Sequence, residues 1–362
     1  LKKQKKNNSW DIELVIKNKG LRFMPLLIET EYEDGSADRQ WWDRHLWRFE
    51  DTLKYSSSRK PKIIRLDPDV QLIDLDYRNN TTKIDKRFII DWPGLNYKPR
   101  NAVVYSWMPV FYFNHELSDF YPGLKINKSY GLYENTNFSL YPSAESKKVY
   151  WHINGWRKSV HHFPRTKFYF WGFLKPGVRE YGSEIEKKWN RVFGRTYTHT
   201  FSVGLYVQPE YHAFRANALG YNSNGKLAVG YFNWSSGIGP FDVNLNASTT
   251  LGGYSTWNFN RLTALSTFRS KKIYGLRALQ RIIAGKIWSN DNLPGQEGYN
   301  INGNSSNEML KKNYLVDQFY GNLELFNHYH LPGEGNIRGF FDPSARGADA
   351  LISSSTEFAA DR

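Results

Sequence analysis

From about residue 100 onward, apolar residues recur at every second position, a period that fits strands and not helices. In THTFSVGLYVQ, Phe201, Val203, Leu205 and Val207 share one face, while Thr200, Ser202, Gly204, Tyr206 and Gln208 share the other. In FDVNLNAST, Phe241, Val243, Leu245 and Ala247 alternate with Asp242, Asn244, Asn246 and Ser248. The polar row is too polar for a dry core and too regular for loops. The same alternation runs through SWMPVFYFN, GLKINKSYG, NTNFSLYPS, KKVYWHINGW, TKFYFWGFLKPGV, KLAVGYFNW, WNFNRLTALSTF, KKIYGLRALQRIIAGKIW, QFYGNLELFNHY and DALISSSTEFAA, which makes about twelve strands. No stretch of eighteen or so apolar residues exists, so a membrane-spanning helix is excluded; a spanning barrel strand needs only about ten residues, alternately apolar.

The connections are of unequal length, some tight and some as long as SNDNLPGQEGYNINGNSSNEMLKKN, as in membrane barrels with short turns at one rim and long loops at the other. Aromatic residues make up 17% of the 362, and Trp107, Trp156, Trp234, Trp257 and Trp288 fall near strand ends. Amphipathic rings there suit the headgroup level of a bilayer. The competing reading is a soluble sandwich or propeller with the aromatics packed inside. The segments NLN, HIN and NLE argue against it, because they would bury Asn, His and Glu in a dry core, whereas a barrel gives them lumen water.

The net charge of +14 is spread from the LKKQKK opening to Arg362 instead of gathering on one face, so nucleic acid is not an expected partner. Diffuse positive charge suits outer-membrane lipid and lipopolysaccharide. With no cysteine there is neither disulfide nor thiolate metal site. The opening LKKQKKNN has no apolar core behind it, so it reads as the interior of a longer protein and not as a signal peptide.

The first ninety or so residues have a different texture. SWDIELVIKNKGLRFMPLLIETEYEDGS reads as two strands joined by the turn Asn18 to Gly20, the second closing at Asp34-Gly35, with Ile12, Leu14 and Ile16 on a mostly apolar face. KPKIIRLDPDVQLIDLDYRNN adds extended segments around Asp67-Pro68, and together these make a small β-sandwich. The order N-x-G…MP, EDG, then LDP…L-x-D-x-D…NN resembles the C-terminal β-sandwich of the zinc aminopeptidase family that includes aminopeptidase N. That resemblance implies a zinc centre upstream, on a helix bearing H-E-x-x-H. This chain lacks one: His115-Glu116 continues Leu117-Ser118-Asp119, with no second His four residues after the first.

Near the end, LPGEGNIRGFFDPSARGADALISSSTEF packs three glycines, a proline and Arg338 into its first ten residues. A loop folded back into a polar lumen must be tethered, and a guanidinium offers five donors to an acid or to strand carbonyls. Gly339 lets the backbone approach a wall that Phe340 wedges against. The bland reading is a type II turn with a solvated arginine. The run Ile337, Arg338, Gly339, Phe340, approached through Gly333 and Gly335 and followed by Glu357, resembles the inward-folding loop of the bacterial surface antigen superfamily. These are the BamA- and TamA-type outer-membrane assembly and translocation barrels, of about sixteen strands. The resemblance implies that Arg338 locks the loop, with Glu357 or an acid on further strands as partner; Asp342 and Glu334, being local, are less favoured. His161-His162 and His328-x-His330 have no adjoining carboxylate pair and read as ordinary loop or lumen histidines. No phosphate loop, no G-x-S-x-G and no catalytic triad occurs.

The expectation is an all-β chain: an aminopeptidase-like sandwich at 1–88, a linker at 89–100, and an outer-membrane antiparallel β-barrel at 101–362, incomplete at its C-terminal side, with the inward-folding loop at 331–349. Its expected role is to anchor a periplasmic peptidase-like module in the bacterial outer membrane, assisting membrane-protein insertion or translocation, with other envelope subunits as partners. The chain itself is expected to hold no catalytic residue, cofactor or metal. The alternatives are a membrane-tethered zinc aminopeptidase whose active site lies upstream, and a soluble carbohydrate-binding all-β protein.

Overall fold

The computed structural model describes residues 2–6, 9–18, 24–43, 50–72, 74, 76–91, 98–114, 119–159, 163–175, 178–191, 197–211, 225–271, 276–290, 293, 297–299 and 348–360. Among them the fold is all-β, apart from one 3-10 turn at Tyr77–Asn79. The chain divides into two compact units, one of residues 1–106 with 128–134 and one of 107–127 with 135–362.

The first six strands, all in the first unit, form two three-stranded antiparallel sheets. β1 (Lys2–Lys6), β2 (Ser9–Lys17) and β5 (Glu50–Ser57) form one, in the order β1-β2-β5. β3 (Leu26–Tyr32), β4 (Ala37–Trp42) and β6 (Pro61–Leu66) form the other, in the order β4-β3-β6. Ile12, Leu14 and Ile16 of β2 are buried against Leu26, Ile28, Trp42 and Ile64 of the opposite sheet, which is the sandwich core. Each such side chain taken from water is worth about 1.5–3 kcal/mol. The two strands expected to join as a hairpin across Asn18 to Gly20 do not pair. β2 hydrogen-bonds to β1 and β5, and β3 to β4 and β6. Both strands carry one strongly apolar face, and placing them in opposed layers lets those faces bury each other. The turn at Asp34-Gly35 does close a hairpin, between β3 and β4, with Gly35 at φ 84°.

Asp67 explains the Leu66-Asp67-Pro68 motif. It is 5% exposed, and its carboxylate accepts the backbone N–H of Gln71 at 2.9 Å and of Leu72 at 2.8 Å, closing the loop after β6. On the other side of β3, Glu29 and Glu31 meet a ladder of cations. Arg65 bonds both carboxylates at 2.9 Å, Arg39 bonds Glu29 at 2.8 Å and Lys62 bonds Glu31 at 3.0 Å. Lys62 and then Arg65 hold the Glu31 carboxyl below its usual range.

A thirteen-stranded antiparallel sheet follows, each strand pairing with its neighbours in sequence. Its members are β7 (Asp85–Ile90), β8 (Ala102–Asn114), β9 (Asp119–Tyr130), β10 (Glu134–Pro142), β11 (Val149–Ser159), β12 (Thr166–Lys175), β13 (Val178–Arg191), β14 (Tyr197–Tyr211), β15 (Gly225–Ile238), β16 (Phe241–Thr250), β17 (Phe259–Arg269), β18 (Leu276–Ser289) and β19 (Ala350–Ala360). Eleven of the twelve strands expected from alternation are present. The twelfth, QFYGNLELFNHY, lies outside the described residues, and β7 and β13 were not anticipated. The chain is therefore an all-β protein with a small sandwich and a long meander of barrel type.

The two faces of the meander are unlike. On β14, Phe201, Val203 and Leu205 are 36%, 59% and 40% exposed, while Ser202 and Gln208 between and beyond them are buried. β19 repeats this, with Ile352 and Phe358 open to the outside and Leu351 and Ser353 buried. Tyr181, Ile185 and Trp189 of β13 are exposed as well, whereas Glu180 is buried. A soluble sheet has the opposite arrangement, with the apolar row sealed and the polar row wet.

Candidate functional site: the polar face of the meander

Register places the inner-face residues of β12 to β17 side by side, and their side chains form a hydrogen-bonded belt. Trp171 of β12 pairs in register with Gly182 of β13, and Gly204 of β14 with Tyr231 of β15. At both glycines a Cβ would overlap the facing aromatic ring, so the ring can lie flat on the neighbouring strand only because the side chain is missing. Laid down this way, each ring presents its polar edge to an acid. Trp171 Nε1 donates to Glu180 at 2.7 Å, and the Tyr231 hydroxyl donates to Glu184 at 2.6 Å. Glu180 also accepts from Gln208 Nε2 at 2.7 Å, so a carboxylate only 1% exposed is held by donors from two other strands. Further along, Asn233 donates to Ser202 at 3.2 Å and accepts from Asn246. These bonds tie neighbouring strands to one another through their side chains as well as their backbones.

One end of the same face is apolar. Leu227, Val229, Phe259, Ile283, Ile287 and Leu351 form a buried cluster around Tyr299, with Trp257 and Leu265 packed against it. Tyr299 belongs to the long connection between β18 and β19, and it is fully buried. Its hydroxyl bonds Thr263 at 2.7 Å and the Leu262 carbonyl at 2.9 Å, and the Arg261 guanidinium sits 4.4 Å from its ring centroid. Gly285 lies beneath the ring, where a Cβ would overlap it. The Tyr299 backbone bridges to Ala348, with N–H to O distances of 2.8 and 3.1 Å, so the two feet of the connection are tied together.

The residues singled out in the sequence are distributed unevenly. Gly333, Gly335, Ile337, Arg338, Gly339 and Phe340 lie outside the described residues. Glu357 of β19 pairs in register with Leu279 of β18. Trp107 and Trp288 are exposed, 46% and 52%, and Trp234 is half-buried beside Phe201 and His199. Trp156 pairs with Tyr169 on the polar face, and Trp257 packs into the apolar cluster. His115, His161, His162, His328 and His330 are outside the described residues, and no group of three metal-ligating side chains occurs among the described ones.

Along β13, β14 and β19 the apolar row is the exposed one. Neither a family model nor a curated protein matches this sequence. Among solved structures, Pseudomonas aeruginosa OccK1 (OpdK) aligns over 79% of this chain and 84% of its own at 8% identity, with a TM-score of 0.34. A second structure of the outer membrane protein OpdK from Pseudomonas aeruginosa aligns over 77% and 82% at 11% identity, with a TM-score of 0.31.

Glu180, Gln208, Trp171 and Tyr299 were not apparent as a set in the sequence. The signal available for them was glycine at alternate strand positions, Gly182, Gly204 and Gly285, which marks where an aromatic from another strand can lie down.

Proposed function

We propose that this chain forms the wall of a bacterial outer-membrane β-barrel protein with a periplasmic sandwich, and that the protein assists insertion or translocation of other envelope proteins. The observation that carries the membrane reading is the exposure of Phe201, Val203 and Leu205 on the same strand that buries Ser202 and Gln208. Outside the sandwich, twenty-nine large hydrophobic side chains of the described residues are exposed, too many for a water-facing surface to leave uncovered. Lipid covers such a surface without specific contacts, and the strand lengths of ten to fifteen residues in β11 to β19 reach across it.

The assembly or translocation role rests on the Ile337-Arg338-Gly339-Phe340 loop. It falls between β18 and β19 in the chain, after the twelve strands β7 to β18 of the meander. In such a protein the work is mechanical: a locked loop stiffens the wall while a thin or weak region of it disturbs the bilayer, and no covalent chemistry is involved. In the same reading the sandwich belongs to an aminopeptidase-like module, whose zinc centre would lie in a separate domain. Outer-membrane lipid and lipopolysaccharide are the partners of the outer face.

The test compares Val203→Arg with Asn244→Arg. An arginine at the lipid face costs about 2–4 kcal/mol near the bilayer midplane. Val203→Arg should therefore abolish heat-modifiable, carbonate-resistant insertion, while Asn244→Arg, on the polar face, should leave it intact. Recovery of the unaltered protein in the aqueous phase without detergent would overturn the reading.

A further inference from the structure

The polar face of β11 and β12 carries a group that the hydrogen-bonded belt leaves out. Register sets Lys158 opposite Lys167 and, two residues along, Trp156 opposite Tyr169, so these four side chains form a square on one face. The Lys158 and Lys167 ammonium nitrogens lie 5.8 and 5.0 Å from the Trp156 ring centroid, and Lys167 is also 5.6 Å from that of Tyr169. Like charges directly opposite each other on adjacent strands repel and destabilise the pairing.

The acid best placed to relieve them is engaged elsewhere. Glu186 stands opposite Lys167 on β13, yet its Oε1 accepts from the Tyr169 hydroxyl at 3.2 Å and lies 3.5 Å from the Lys188 ammonium. Among the described residues neither Lys158 nor Lys167 forms an ion pair. Two point charges held a cross-strand distance apart over an indole match a group that is itself doubly charged; a monovalent ion would neutralise only one. Lysine suits phosphate as a point charge, where planar recognition of a carboxylate favours arginine.

We propose that Lys158 and Lys167, seated over Trp156, bind a phosphate-class dianion carried by a solute on the polar face. The exposed Phe168 and Arg157 are paired on the opposite face, the one that lipid would cover. The site follows from strand register, and it stands whether or not the sheet spans a membrane.

Equilibrium dialysis of the full chain in a maltoside detergent, against labelled inorganic phosphate at constant ionic strength, tests this. One phosphate per chain is expected, with affinity at least tenfold weaker in Lys158→Gln and in Lys167→Gln and binding absent in the double variant. In phosphate-free chloride buffer each single variant should melt at a higher temperature than the parent, because the repulsion is gone. That readout keeps the test meaningful if binding is weak. Inorganic pyrophosphate should displace the label, and phosphatidylglycerol added to the micelles should not. Equal phosphate retention by the parent and the double variant, or a lower melting temperature on neutralisation, overturns the site. Displacement by phosphatidylglycerol alone overturns its assignment to a solute.

Discussion

Tyr299 lies across Gly285, filling the space where any other residue would place a Cβ, and fixes one foot of the β18–β19 connection to the polar face. A methyl group at 285 has to push the phenol out of its bonds to Thr263 and Leu262. Gly285→Ala should cost about 1–3 kcal/mol, the range for overpacking a filled site. Tyr299→Phe should cost about 1 kcal/mol, for the hydroxyl alone. Urea unfolding in detergent measures both. A Gly285→Ala protein as stable as the parent would mean that the ring finds another seat.

Glu180 is the junction of the belt. Replacing it with alanine leaves Trp171 Nε1 and Gln208 Nε2 without this acceptor in a buried place. An unsatisfied buried donor costs about 1–3 kcal/mol. Glu180→Ala should thus lower stability by more than Gln208→Ala, which removes only one of the two donors. Equal losses in the two variants would show that Trp171 takes another partner.

The sandwich should weaken in acid. Because the Glu31 carboxyl is held below its usual range by Lys62 and Arg65, the protonated form is disfavoured in the folded state. Its contribution is complete above the ordinary carboxylate pKa and is lost as pH falls through the depressed folded value. Partly exposed ion pairs contribute at most about 1 kcal/mol each, so the effect is a slope and not a collapse. Hydrogen exchange of β3 and β6 amides should speed up as pH drops below about 4, after correction for intrinsic rates, and Glu31→Gln should flatten that dependence.

Arg338→Ala should lower barrel stability or assembly yield if the arginine locks the loop. Glu357, paired with Leu279 in the β18–β19 register, is the partner to test. A double-mutant cycle with Glu357→Gln should show coupling between the two positions. Unchanged heat-modifiability in Arg338→Ala would count against the lock.

The strands could be read from the sequence wherever one face was consistently apolar, as in β14 and β16. β13 was missed because VREYGSEIEKKWNR carries charge on both faces: Glu180, Glu184 and Glu186 point inward while Lys187 lies among Tyr181, Ile185 and Trp189. Only pairing with β12 and β14 gives that segment a face, since its acids meet Trp171, Tyr169 and Tyr231 from neighbouring strands. β7 was missed for a simpler reason. Its six residues are too short for a period of two to stand out.

What the sequence determined by itself is the period and the two-facedness of the chain, because alternation is a local property of successive side chains. It also determined the core strand of the sandwich, where Ile12, Leu14 and Ile16 could only turn one way. Which layer each sandwich strand joins, which aromatic lies on which glycine, and where Tyr299 docks were decided by tertiary structure alone. Those depend on residues tens of positions apart meeting in register, and a strand's own pattern says which way its side chains point but not what they will touch.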